Sequence, residues 1–366
     1  MCLCTEGGYL VLEITSFVLL LKNTSKTLSK MSGIAWKELS EDDRERIKKD
    51  FPVSNINDLI RFDNGLLMPR KFVDEKIQDR LYNFELREDD IWIVTHPKCG
   101  TTWTQELVWM LINDMDVERS KVPQIVRIPF LEVESVYQLD FLDSLGLLPP
   151  DEKVREVIAD PVQVLNNMKG RRVIMSHLPF EFLPPKLLDT CKVVYVARNP
   201  RDQAVSFYHH DMNVPCQGFV GTFDEFLWFY EKGLHVYGGY WNHLLNGWQH
   251  RDHENLKFLW FEDMKKDTKA VIDELCDFLQ HTLTEDKKGQ LLEHVKFDNM
   301  KNNPNANPSA KFKSNNAPPK KDFMRKGQVG DWKNYFDKER CEKWEKWIAE
   351  NIKGTGLEEI EYFKFE

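Results

Sequence analysis

Short apolar runs alternate along this chain with stretches in which apolar residues recur every three or four positions. "DDIWIVTHP" (89–97) reads as a buried strand, and the pattern after it is helical, with Trp103, Leu107, Met110 and Leu111 on one face. "RRVIMSH" (171–177) and "CKVVYVARNP" (191–200) predict a second and a third strand. The third runs into a helix that Asn199 can cap, with Pro200 suited to its first position and Asp202 favoured by the helix dipole. "NLKFLWFEDM" (255–264) predicts another strand and "DTKAVIDELCDFL" (267–279) another helix. Apolar strands alternating with helices imply one α/β domain, a parallel sheet covered on both faces. No internal repeat is present, which excludes a solenoid or propeller.

Two stretches depart from this rhythm. "YLVLEITSFVLLL", near the N-terminus, is apolar but contains Glu13 and is shorter than the ~18–20 residues a bilayer crossing needs. No basic segment precedes it, so a signal peptide is a poor match, while a membrane-surface or Golgi-type anchor stays open. The polar "KNTSKTLSKMSG" follows, so residues 1–33 are expected to be a poorly ordered extension and 34–366 the folded domain. Residues 299–322, "NMKNNPNANPSAKFKSNNAPPKKD", have no apolar periodicity and read as a functional or disordered loop. We expect 299–324 to form a lid ordered by a ligand, with Lys311, Lys313, Lys320 and Lys321 open to trypsin until it closes.

Composition narrows the function. With 42% hydrophobic and 30% charged residues among 366, the chain is an ordinary globular protein. A formal net charge of −9 argues against a globally basic nucleic-acid binder. The basic "KFKSNNAPPKK" (311–321) lacks a basic face to continue the contact. The seven cysteines are scattered without CxxC or finger spacing and read as isolated thiols of a reducing compartment. "HHDMNVPC" brings His209, His210 and Cys216 close in sequence, but no second ligand pair has tetrahedral-site spacing, so no metal is expected.

The chemistry concentrates at 95–103, "THPKCGTTW". A strand, a Gly-containing turn and a helix start converge backbone N–H groups and the positive end of a dipole on one point, which suits a phosphate. The ATP-binding form places Lys directly after the last Gly; here Lys98 precedes Gly100, and no strand-terminal Asp is placed for Mg²⁺. An ATPase or kinase is disfavoured.

The segment resembles the 5′-phosphosulfate loop of the cytosolic sulfotransferases, usually TYPKSGTTW. Further motifs of that family follow in order: "MSHLP" (175–179), "VARNPRDQAVSFYHH" (196–210), "VYGGYWNH" (236–243), "FEDM" (261–264) and "FMRKGQVGDWKNYF" (323–336). The similarity covers roughly 35–365 and implies a single α/β domain that transfers a sulfuryl group from 3′-phosphoadenosine 5′-phosphosulfate (PAPS) to a hydroxyl of a small, largely apolar acceptor such as a phenol or steroid. On this resemblance His177 is the general base and Lys98 neutralises charge on the leaving oxygen. Lys98, Cys99, Gly100, Thr101 and Thr102 hold the 5′-phosphosulfate, and Trp103, Tyr237 and Phe297 contact adenine. Arg198, Ser206, Arg325, Lys326 and Gly327 hold the 3′-phosphate. The bland readings are a solvated Lys98, a core Trp103, a structural His177 and a solvated Arg201. The resemblance also implies a cytoplasmic enzyme without metal, nucleic-acid partner or membrane span.

Several positions depart from the family pattern. Cys99 replaces a common Ser, Met175 stands where many members carry Lys, and Val295 replaces a Thr. The dimer motif is degenerate in "KNYFDKERCE" (333–342), which keeps Lys333, Phe336 and Glu342, so a homodimer is possible. Two other functions stay open: a membrane-anchored glycan sulfotransferase, and a nucleotide-binding protein that has lost turnover. The acceptor pocket is expected from 128–148 and 219–230, both rich in Phe, Tyr and Leu.

Overall fold

A computed structural model describes residues 27–28, 33–53, 58–307 and 323–364. The N-terminal apolar run and the four lysines expected to mark the lid lie outside the described residues.

Four parallel strands form the core sheet, in the order Val173–Ser176, Ile91–Thr95, Lys192–Ala197, Leu256–Trp260. Ile93 pairs with Met175 on one side and Val194 on the other. Every residue of Ile91–Thr95 is buried, because helices cover both faces, and this is why the strand reads as a continuous apolar run rather than an alternating one. Helix Thr101–Ile112 follows it, with Leu107, Val108, Met110 and Leu111 all fully buried. Helix Pro200–Asn213 starts as expected: Asn199 accepts a hydrogen bond from the Arg201 N–H at 2.9 Å and Pro200 occupies the first turn.

A second, antiparallel sheet was not foreseen. It joins Thr27–Leu28, Ala35–Glu38, Leu59–Phe62 and Leu67–Pro69. Its hairpin turns at Asp63-Asn64-Gly65, where Gly65 has φ +88° and the Phe62 N–H donates to the Leu66 carbonyl at 2.8 Å. An Asn-Gly pair between apolar runs is a hairpin signal and was readable. Strand Thr27–Leu28 lies inside the segment expected to be loosely ordered, and helix Phe297–Asn302 extends into the segment expected to be structureless.

All four core strands run the same way, so the residues after Thr95, Ser176, Ala197 and Trp260 collect at one edge of the sheet. Open α/β sheets place their ligands at that edge.

Candidate active site

A cavity of about 1050 Å³ opens at this edge. The turn after Ile91–Thr95 forms its floor. Lys98 has φ +67° and Gly100 φ +103°. A Cβ on Gly100 would lie 2.7 Å from the Phe261 ring, so this position needs glycine for space as well as for conformation. The Gln203 amide fixes the turn from behind by donating to the Pro97 carbonyl at 2.6 Å. Lys98, Gly100, Thr101, Thr102 and Trp103 all line the cavity. Cys99 does not: its thiol is buried, 3.9 Å from the Pro97 carbonyl, with its side chain turned to the core. Cys99 can therefore meet a ligand through its backbone alone.

The Lys98 ammonium sits 4.0 Å from the centre of the Phe323 ring. Loss of water is the main reason its pKa falls to about 7; Arg198 and Arg325 add repulsion, and Asp211 partly opposes them. Such a lysine is short of a counter-anion. Arg198 donates to the Lys98 carbonyl at 3.2 Å and to the Gln328 carbonyl at 3.1 Å, so it clamps the phosphate turn to the C-terminal segment. Its Nε is buried without a partner among the described residues, and its carbonyl accepts from the Tyr240 hydroxyl. Arg201, for which solvation was the bland reading, is instead buried with its guanidinium 4.7 Å from the Trp332 ring centre.

Arg325, Lys326 and Gly327 line the same cavity with Ser206 and Phe297. Both cations are held by Asp331, which bonds Arg325 and accepts from Lys326 at 2.5 Å. Burial disfavours charge on Asp331, but these donors and Asn334 outweigh it and bring the carboxyl down to about 2. Gly327 has φ +61°, and a Cβ there would overlap the Phe297 ring. Asp202 does more than meet a helix dipole: it accepts from the N–H groups of Gly330 at 2.6 Å and Trp332 at 3.0 Å, anchoring the segment just after these residues. Trp103 donates to the Val295 carbonyl at 3.0 Å and meets Phe261 edge-on, with ring centres 5.7 Å apart.

His177 follows strand Val173–Ser176. Its Nδ1 lies 2.7 Å from the Thr95 carbonyl, so Nδ1 carries the proton and Nε2 keeps a lone pair. Burial, with help from Lys98 and His210, lowers its pKa to about 4 against the pull of that hydrogen bond, leaving the ring neutral. Rings of Phe130 and Tyr237 pack edge-on to it at 5.3 and 5.2 Å. Glu132 holds the backbone: it accepts from the His177 N–H at 2.6 Å and the Ser176 hydroxyl at 2.8 Å. Its complete burial outweighs both donors and raises its carboxyl to about 8. Sequence reasoning placed Glu132 in an acceptor loop and missed this role; its only signal was a carboxylate inside an apolar run.

The remaining wall is apolar. Ile128, Val133, Val136, Leu142 and Leu147 line it, as expected of 128–148. From 219–230 only Val220 does so, because helix Phe223–Lys232 spends Phe226 and Phe229 on the core; Phe207, Val214, Pro215, Gln217 and Gly218 supply that wall instead.

Cations and aromatic rings thus meet on one cavity: Lys98, Arg198, Arg325 and Lys326 with Trp103 and Phe297. A sulfotransferase-domain profile matches residues 88–356. The chain belongs to the sulfotransferase family. Luciferin sulfotransferase of Photinus pyralis is 34% identical to it over 290 residues, 77% of this chain and 76% of that one. Sulfotransferase 1E1 of Homo sapiens is 34% identical over 300 residues, covering 80% and 93%. Among solved structures, retinol dehydratase in complex with retinol and PAP superposes with a TM-score of 0.79 at 29% identity, over 88% of this chain and 98% of that one. A mouse sulfotransferase complexed with PAP gives a TM-score of 0.60 at 25% identity, over 82% and 95%. This protein is therefore a PAPS-dependent sulfotransferase acting on small molecules. The two glycine positions that tolerate no Cβ and the uncompensated Lys98 fit such a donor. No helix among the described residues is long and apolar enough to cross a membrane.

Proposed function

We propose that this sulfotransferase sulfonates a hydroxyl of a small, largely apolar alcohol, phenol or steroid by in-line displacement. His177 is the general base and Lys98 the group that neutralises the leaving oxygen. The observation that carries the proposal is the pairing of these two residues on one apolar cavity: a neutral imidazole with its tautomer set by Thr95, and a lysine with no carboxylate bonded to it among the described residues. PAPS supplies the activated sulfuryl group. Thr101, Thr102 and the backbone of 98–102 hold its 5′ end, Trp103, Tyr237 and Phe297 the base, and Arg198, Ser206 and 325–327 the 3′-phosphate. Removing the acceptor proton needs the neutral His177, and stabilising the departing phosphate needs Lys98 protonated, which the anion itself favours. The acceptor class is supported by the cavity wall and by the retinol and androsterone bound in the retinol dehydratase structures, both apolar alcohols.

Location in the cytoplasm and a folded unit beginning near residue 34 are part of the same reading. Cys99, Cys191, Cys216, Cys276 and Cys341 are all free thiols, as a reducing compartment allows.

The experiment is a PAPS assay against alcohols and phenols of graded acidity. Lys98→Ala should lower kcat by at least about a hundredfold while PAP still binds, because the interaction lost exists mainly in the transition state. His177→Ala should cost about 10²–10⁴ on alcohols and less on acidic phenols, which ionise unaided. Equal losses across acceptors, or turnover within a few-fold of wild type, would remove these assignments.

A further inference from the structure

One polar cluster interrupts the apolar wall. Asp211, near the end of helix Pro200–Asn213, is buried and takes a hydrogen bond from His210 Nδ1 at 3.0 Å; its other oxygen lies 3.4 Å from His235 Nδ1. His235 is sealed behind it by the rings of Phe51, Phe207, Phe226 and Phe229, with centres 4.9 to 6.1 Å away. Its Nε2 has no hydrogen-bond partner among the described residues. The carboxylate is thus committed to two imidazoles. Both imidazoles border the cavity, but His210 is the more open to it, with 13% of its side chain exposed against 3% for His235. Because Nδ1–H is given to Asp211, Nε2 is left as a hydrogen-bond acceptor, and no described residue bonds it.

Position gives this nitrogen a use. The His210 ring packs edge-on to Phe323 at 5.8 Å, and the same Phe323 ring carries the Lys98 ammonium at 4.0 Å. His210 therefore stands one aromatic ring away from the sulfuryl-transfer lysine and lines the same cavity as His177. An acceptor whose reacting hydroxyl lies at His177 can bring another part of its skeleton to His210. A purely apolar skeleton leaves Nε2 dry and unpaired, which costs binding; a hydroxyl at that point satisfies it.

We propose that His210, oriented by Asp211, is a specificity-determining residue of the acceptor site: its Nε2 accepts a hydrogen bond from a second hydroxyl, so that diols are preferred over mono-alcohols of the same skeleton. This rests on the reading of the apolar chamber as the acceptor site. His210, weighed in the sequence with His209 and Cys216 as a metal ligand, becomes a substrate anchor, while His209 is engaged by the Tyr335 hydroxyl at 2.6 Å.

The test is calorimetric binding of linear 1-alkanols and the matching α,ω-alkanediols, in graded chain lengths, to the enzyme saturated with PAP. At one chain length or a narrow range of them, the diol should bind about tenfold tighter than the mono-alcohol, beyond the statistical advantage of two equivalent ends. His210→Phe should erase that preference and leave mono-alcohol binding within a few-fold. Asp211→Asn, which keeps the imidazole but removes the charge that orients it, should weaken the preference and serves if the first variant does not fold. Equal affinities at every length, or a diol preference that survives both substitutions, overturns the proposal. Sulfonation of the same alcohols is scored separately: diols that bind preferentially but are never sulfonated would defeat the proposed reaction and leave the subsite standing.

Discussion

The depressed pKa of Lys98 makes nucleotide binding a proton-uptake reaction. In the free enzyme this lysine titrates near 7, chiefly because burial strips it of water and Arg198 repels it. At about pH 8.5 a group of that pKa is only about 3% protonated. A bound 5′-phosphate changes the balance. One unit charge about 4 Å away is worth about 4 kcal/mol at an effective dielectric of about 20, which corresponds to about three pKa units. The lysine in the complex should then remain charged to about pH 10. Binding of PAP should therefore take up about one proton at pH 8.5 and about three quarters of one at pH 7.5. Affinity should fall by close to tenfold per pH unit between about pH 8 and about pH 9, and level off below about pH 6. The ligand does not blur the measurement, since phosphate monoesters are fully ionised well above a pKa of about 6. His177 and His210 do not blur it either, because burial leaves both neutral there. Calorimetry in two buffers of different ionisation enthalpy reads the uptake directly. Lys98→Met should reduce it to near zero. No uptake at pH 8.5 in the wild type, or undiminished uptake in the methionine variant, would refute the reasoning.

Other consequences follow from the same contacts. Gly327→Ala should weaken PAP binding by about tenfold or more, since a Cβ at φ +61° costs about 1–2 kcal/mol and displaces the Phe297 ring; unchanged affinity by calorimetry would separate these residues from the nucleotide. Asp202→Ala deletes two hydrogen bonds to a charged acceptor, about 1.5–3 kcal/mol each, and should reduce affinity for PAP more than for 5′-AMP if the segment it anchors holds the 3′-phosphate as proposed; equal reductions would argue against that placement. Glu132 has its carboxyl raised to about 8, so its contribution to stability is full below about pH 4.5 and is lost as pH rises through 8. Glu132→Gln should remove that share of the slope, and a wild-type-minus-variant Tm difference that stays constant between about pH 5 and 8 would contradict it.

The parts of this protein that were legible in the sequence are those whose physics is local or periodic. A strand buried on both faces must be apolar throughout, so the four core strands announced themselves, and parallel order followed from the helices between them. The phosphate turn could be read from Lys98 through Thr102 because a positive φ, a missing Cβ and a helix start are properties of adjacent residues. The motifs at 196–210 and 323–336 pointed to the proposed nucleotide pocket for the same reason. What tertiary structure alone decided involves partners far apart in sequence. That Cys99 turns inward depends on which side of the turn the core lies, and that Asp331 holds Arg325 and Lys326 depends on Asp202 tethering the residues around it. Glu132 acquires its meaning from a backbone N–H 45 positions away, and the Asp211 carboxylate from His235, 24 positions on in another element. A buried charge must find its partners wherever the fold brings them, and no spacing rule records that; periodicity tells which face of an element is buried, but not which polar groups will meet there.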